Sequence, residues 1–220
     1  KKLFIPASNA KVITTAVALK YLGPNYRFST QIYTDGILEN QVLKGNLYIK
    51  GSGDPKLVTE QLWLLVNGLR NLPLKQIKGN IIGDDSFFDK KKRIKTWIEN
   101  PGAQAYEAPL GSLSFNFNTT KVYVSPGLKV GDQPEIVIEP ANDYIKLENN
   151  AQTLKPGKRN RLIVNRVDKE DHDLITISGG INLGQPRAKY FLNITNPTEY
   201  LSLIHISEPT RPERIGGAQG

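Results

Sequence analysis

The sequence predicts an α/β (α+β) protein in which one apolar helix near the first residue precedes a largely antiparallel β region. Three observations carry this reading. From about Asn9 to Leu22, apolar side chains at Val12, Ile13, Ala16, Val17, Leu19 and Leu22 recur at helical spacing and cover more than one stripe, the pattern of a buried helix. From about Lys121 onward, short runs of β-branched and aromatic residues alternate with turns at Pro126-Gly127, Pro156-Gly157 and Gly179-Gly180. Between the two lies one more amphipathic segment, 60–70, set among short strands.

Taken in order, a proline-broken extended run, Phe4 to Ala7, leads into the first helix, and Gly23-Pro24-Asn25 stops it. Residues 27–33 read as a strand, Asp35-Gly36 as a turn and 43–50 as the partner strand. Gly51-Ser52-Gly53-Asp54-Pro55 lacks the Gly-Lys-Ser/Thr ending of a phosphate-binding loop, so a structural turn is expected. Thr59 is placed to cap the second helix, whose stripe is Leu62, Leu65, Val66 and Leu69. Residues 77–82 read as a short strand ahead of Gly83-Asp84-Asp85-Ser86-Phe87-Phe88-Asp89. Strands are then expected at 122–124, 135–139, 144–147, 161–167, 174–178 and 190–194, forming one compact antiparallel module. No internal repeat is visible.

A chain of 220 residues is long enough for one large domain or two small ones with a real core, and 39% hydrophobic with 23% charged residues is ordinary for a globular protein. Absence of cysteine excludes disulfides and thiolate metal sites. His172 and His205 lack partners at metal-ligand spacing, so neither metal nor cofactor is expected, and His172 is expected to be exposed in its acidic turn. No run is long enough for a transmembrane helix. The net charge of +8 fits plain solubility or attraction to an acidic polymer such as nucleic acid or an anionic cell wall. Its one cluster, Lys90-Lys91-Lys92-Arg93, has no interleaved aromatics and reads as a solvated loop, which argues against nucleic acid. The abrupt start, two lysines and two apolar residues before a helix entry, reads as an N-terminally incomplete fragment without its targeting segment.

Ser8 falls at the start of the first helix and Lys11 one turn on, so the i, i+3 spacing puts both on one face. A serine hydroxyl is a weak nucleophile that needs a base within reach. Lysine serves as that base only if burial or a nearby cation favours its neutral form. The helix N-terminus adds N–H groups able to hold an oxyanion. The plain alternative is an N-capping serine followed by a surface lysine, because chance alone supplies about one S-x-x-K in a chain of this length. Adjacent Asp84 and Asp85 invite a metal or acid/base role, but neighbours in sequence point apart, and a turn with a capping aspartate accounts for them.

Taken together, Pro6 to Thr14, Leu22 to Phe28, Leu43 to Leu47, Gly53-Asp54-Pro55, Gly79 to Phe88 and Ala108 to Asn116 resemble the penicillin-recognising D-alanyl-D-alanine carboxypeptidase/endopeptidase family with an inserted domain, peptidase family S13 of the penicillin-binding protein 4 type. The resemblance covers roughly Lys1 to Tyr200. It implies a serine-type enzyme without a cofactor, acting on peptidoglycan stem peptides through an acyl-enzyme, with Ser8 as nucleophile and Lys11 as general base. It also implies covalent inhibition by β-lactams and a periplasmic or otherwise extracytoplasmic location. An acidic residue matching Asp84, with Asp85 as the alternative, and an aromatic matching Phe88 would meet the amino group of the stem-peptide side chain.

The implied layout is the N-terminal part of a penicillin-binding, transpeptidase-like catalytic domain over 1–28, with its nucleophile helix, and an inserted, mostly β region over 29–200. The family's later S-x-N and K-T-G motifs are missing. Ser114-Phe115-Asn116 has the S-x-N form, but its surroundings match the insertion and not a catalytic helix. Residues 201–211 resemble a translated transposase adapter used in preparing DNA sequencing libraries, so 201–220 reads as a non-native tail and His205 as functionless. The fragment alone is therefore expected to lack turnover. Two rivals share the first motif or its position: an S-x-x-K β-lactamase or esterase relative, and a non-catalytic cell-wall-binding module in which Ser8 is only a cap.

Overall fold

The computed structural model describes residues 6–94 and 102–204. A one-turn 3-10 helix, Ala7–Asn9, runs into α1 (Ala10–Leu22). There follow β1 (Thr30–Thr34), β2 (Ile37–Glu39), β3 (Val42–Lys44), β4 (Leu47–Gly51), α2 (Thr59–Arg70), β5 (Gln76–Lys78) and β6 (Ile81–Asp84). The rest comprises β7 (Thr119–Ser125), β8 (Glu135–Glu139), β9 (Ile145–Leu154), β10 (Arg161–Asp168), β11 (Asp173–Asn182), β12 (Ala188–Asn193) and α3 (Pro197–Ser202).

The expected strands at 43–50 and 77–82 are each broken in two, at Gly45-Asn46 and Gly79-Asn80. β4 lies between antiparallel β1 and parallel β6, and β3 between antiparallel β2 and parallel β5. Backbones meet too closely at the break for side chains: a Cβ on Gly79 would overlap the Gly45 carbonyl. Side chains take over from the ladder there. The Asp35 carboxylate accepts the Asn46 N–H at 2.7 Å, the Asn46 side-chain amide at 2.8 Å and the Tyr48 hydroxyl at 2.8 Å. Asn46 in turn accepts the Asn80 N–H at 2.9 Å.

In the second half β7 is flanked by antiparallel β12 and β8, as expected. β11 pairs antiparallel with β10 but parallel with β9. The β10–β11 hairpin places β11 centrally, and β9, one reversal earlier, runs alongside in the same direction as β11. Period-two alternation turns Val122 and Val124, Ile145 and Ala151, and Ile175 and Ile177 inward. Leu113, Phe115, Tyr144 and Tyr200 complete this core, with Tyr200 6.2 Å from the Phe115 ring and 6.1 Å from Tyr144. Each such buried side chain contributes about 1.5–3 kcal/mol. α3 is capped by the Asn196 side chain and packs on β6, where Gly83 leaves room for Thr198.

Three expectations are corrected. α1 is not buried: Val12 is 71% and Ile13 69% exposed, because apolar residues spread around the whole helix and no described segment covers it. Thr59 does not cap α2; the N-cap position is Val58, and the Asn116 side chain reaches in instead. His172 is half-buried, with Nδ1 2.6 Å from an Asp171 oxygen. Of the segment 201–220, Leu201 and Ser202 end α3 and Ile204 bridges to Asn142, whereas 205–220, His205 included, lie outside the described residues.

Candidate functional site

Ser8 sits in the middle of the 3-10 turn and Lys11 in the first turn of α1; both are exposed. The capping positions are Pro6 and Asn9, and neither makes a side-chain cap bond. The serine hydroxyl is thus not at a capping position of either helix. The residue before it, Ala7, has φ 45°, a left-handed conformation that costs an L-residue about 1–2 kcal/mol. Among the described residues no hydrogen bond joins Ser8 to Lys11, and both side chains stand open to solvent.

Asp84 ends β6. Its Oδ1 accepts the Ser86 N–H at 2.9 Å, a local turn of the kind short polar side chains favour, and its Oδ2 lies 3.3 Å from Lys50 Nζ. Hydrogen bonding from Ser86, with Lys50 behind it, holds the carboxyl below the usual aspartate range. Phe88 is 45% exposed, and its ring lies over Gly53: a Cβ there would come within 2.7 Å of Phe88 Cζ. A glycine is needed at that point for its φ of 87° as well. Asp84 and Phe88 therefore flank the Gly51–Asp54 loop.

The neighbouring Asp85 points elsewhere, as alternation along an extended chain requires. It accepts the Ser112 N–H, the Ser112 hydroxyl at 2.8 Å and the Leu113 N–H at 3.0 Å, and it contacts Lys92. The Ser112 carbonyl takes the Gly53 N–H at 2.8 Å. Asp85 is thus committed to holding the 111–113 segment against the loop, which leaves Asp84 as the more available carboxylate. Lys50 and Ser112 were not visible in sequence reasoning. Only the parallel register that sets Lys50 opposite Asp84 brings out the first.

Ser114-Phe115-Asn116 is structural. The Ser114 hydroxyl donates to the Gly111 carbonyl at 2.8 Å, Phe115 is buried, and Asn116 serves α2. No hydrogen bond, ion pair or ring contact joins Ser8 or Lys11 to Asp84 or Phe88 among the described residues. No group of metal-ligating side chains is assembled among them either, and no helix there is long and apolar enough to cross a membrane.

An apolar helix followed by a β-rich module is similar in fold to part of a solved penicillin-binding protein. Over 90% of the chain it superimposes, at a TM-score of 0.72 and 21% identity, on 43% of penicillin binding protein 4 (dacB) from Haemophilus influenzae. The same protein solved with a novel β-lactam gives 0.64 at 19% identity. The chain belongs to the D-Ala-D-Ala carboxypeptidase 3 (S13) family, whose model matches residues 1–205. It is 29% identical over 168 residues to a D-alanyl-D-alanine carboxypeptidase from Actinomadura sp. (strain R39), and 31% identical over 114 residues to D-alanyl-D-alanine carboxypeptidase DacB of Haemophilus influenzae. Those matches take in 74% and 52% of this chain, but only 31% and 24% of the relatives' lengths.

Proposed function

We propose that this chain carries the nucleophile segment and much of the inserted domain of a serine-type D-Ala-D-Ala carboxypeptidase/endopeptidase acting on peptidoglycan. The observation that carries the reading is Ser8: an exposed residue at neither capping position, at a helix start, with Lys11 one turn on, in an S13 chain. Ser8 Oγ attacks the carbonyl carbon between two D-alanines while Lys11 takes the hydroxyl proton. The C–N bond breaks, the terminal D-alanine leaves with a proton, and water hydrolyses the ester that remains. A β-lactam carbonyl acylates Ser8 by the same first step. Asp84, beside Phe88, is read as the carboxylate that receives the amino group of the stem-peptide side chain. Because peptidoglycan lies outside the cytoplasmic membrane, the enzyme acts there.

Covalent labelling of the full-length gene product by a fluorescent penicillin tests this. Labelling is expected in the wild type and lost in Ser8→Ala; labelling that persists in Ser8→Ala would refute the assignment. The 220-residue chain by itself holds no K-T-G and no catalytic S-x-N, so it is expected not to turn over a D-Ala-D-Ala peptide.

A further inference from the structure

Strand register brings three loops of the second half to one end of the β module. Ser125 pairs with Glu135, Leu154 with Asn182 and Val124 with Ala188, so the β7–β8 loop (126–134), the β9–β10 turn (155–160) and the β11–β12 loop (183–187) lie together. They are braced on the strand ends between them. The Gly131 N–H donates to the Thr153 carbonyl at 2.9 Å, the Leu183 N–H to the Leu154 carbonyl at 2.9 Å, and the Asn182 side chain to the Lys158 carbonyl at 2.6 Å. Five exposed cations stand on these loops, Lys129, Lys155, Lys158, Arg159 and Arg187, against one acidic residue, Asp132. The Asp132 carboxylate is turned back on its own loop, where it accepts the Lys129 backbone N–H at 3.1 Å. The Arg187 guanidinium rests on a ring and not on an acid, 3.8 Å from the centroid of Tyr123. The opposite end has the reverse balance: its connections, 140–144 and 169–172, carry Asp143, Glu170 and Asp171 against Lys169. Charge is thus polarised along the strands.

At the tip of the first loop Leu128 is 97% exposed, and Val130 beside it is 42% exposed. An apolar tip within a basic patch matches the two layers of an anionic bilayer surface, phosphates outside and acyl chains beneath. A hydrated polyanion would meet the cations and leave Leu128 in water. The three loops also hold no aromatic side chain on which bases could stack.

We propose that this end of the β module is a docking surface for an anionic lipid bilayer. The five cations meet the lipid phosphates, while Leu128 and Val130 enter the boundary between headgroups and acyl chains. The inference does not rest on the roles read for Ser8 and Asp84.

The 220-residue chain has no cysteine, so Leu128→Cys gives a single site for an environment-sensitive dye. With vesicles of phosphatidylglycerol and phosphatidylcholine, dye at 128 is expected to shift to the blue and brighten; with phosphatidylcholine alone it is expected not to respond. High salt is expected to reverse the change. Dye placed by Lys169→Cys at the opposite end is expected to stay in water throughout. In vesicle sedimentation, Lys155→Glu with Lys158→Glu is expected to weaken binding about thirtyfold, since each basic residue near an anionic leaflet carries about fivefold. Lys90→Glu with Lys91→Glu changes the net charge equally and is expected to weaken it much less. Leu128→Ser is expected to weaken it about tenfold. An unresponsive dye at 128 on the anionic vesicles, or equal weakening by the two double variants, overturns the proposal. Vesicle binding by Leu128→Ser as tight as by the wild type would make the patch a site for any polyanion and overturns the bilayer as its partner.

Discussion

The Asn116 side chain grips Thr59 twice: its carbonyl accepts the Thr59 N–H at 3.2 Å and its amide donates to the Thr59 hydroxyl at 3.1 Å. A residue 57 positions away thereby does the work of an N-cap for α2. Asn116 is held for this by a left-handed turn, Asn116-Phe117-Asn118, with φ values of 47°, 59° and 55°. Asn116→Ala is expected to cost about 1 kcal/mol, the usual value of a lost cap, as read by urea unfolding. Penicillin labelling of the full-length protein is expected to stay unchanged. A loss of labelling without a loss of stability would make Ser114-Phe115-Asn116 the catalytic S-x-N motif after all.

Two glycine replacements are expected to act in opposite directions. Gly68 lies inside α2 with open space where a Cβ would go, so Gly68→Ala is expected to stabilise by about 0.5–1 kcal/mol. Gly79 abuts the Gly45 carbonyl, and a Cβ must push backbone apart at the break between β5 and β6. Gly79→Ala is expected to destabilise by about 1–3 kcal/mol. Thermal unfolding of both variants checks the pair, and equal shifts would contradict the packing at the strand break.

Local signals carried the parts of this fold that depend on neighbours in sequence. The helix stop at Gly23, the Asp35-Gly36 turn, α2 and the alternation of β7 and β11 are each set by residues a few positions apart. The S-x-x-K turn was legible for the same reason. Long-range pairing was not. Asn116 as the cap, the strand breaks where Gly45 and Gly79 meet, and parallel β9 and β11 all depend on chain partners that spacing does not reveal. α1 shows the converse: its composition is that of a buried helix, yet burial is supplied by partners, and none of the described residues provides it. The two adjacent aspartates were indistinguishable until the fold sent Asp85 to Ser112 and Asp84 to Lys50.

Acid sensitivity is expected from Asp35. The Asn46 side-chain amide, then the Asn46 N–H and the Tyr48 hydroxyl, hold its carboxyl below the usual aspartate range. A carboxyl depressed in the folded state adds stability that is fully present above its unfolded value, about 3.9, and is lost as the pH falls through the lower folded value. The unfolding midpoint of the wild type is therefore expected to drop in that acid window. Asp35→Asn is expected to flatten the drop while lowering stability at neutral pH. An identical pH profile in wild type and variant would count against the network around Asn46.

The buried pair of Arg166 and Asp173 carries the largest single stability prediction. The guanidinium lies 3.2 Å from the carboxylate, with the two side chains 6% and 0% exposed. Arg166 also donates to the Asn193 side chain at 2.8 Å and to the Thr195 hydroxyl. Asp173 further accepts the Thr195 N–H at 2.9 Å and its hydroxyl at 2.6 Å. These bonds tie β10 and β11 to the segment after β12, where Asn193 in turn donates to the carbonyls of Gly102 and Gln104. Desolvating both charges offsets much of their attraction, so the intact pair adds little net stability. Breaking it is different, because Arg166→Met leaves a buried carboxylate without its cation. That variant is expected to lose about 3–5 kcal/mol. The double variant Arg166→Met with Asp173→Asn removes the orphan charge and keeps an acceptor for Thr195, so it is expected to regain part of the loss. Urea unfolding of the two variants beside the wild type decides it: a double variant no more stable than Arg166→Met would mean that the loss comes from the Asn193 and Thr195 bonds and not from the unpaired charge.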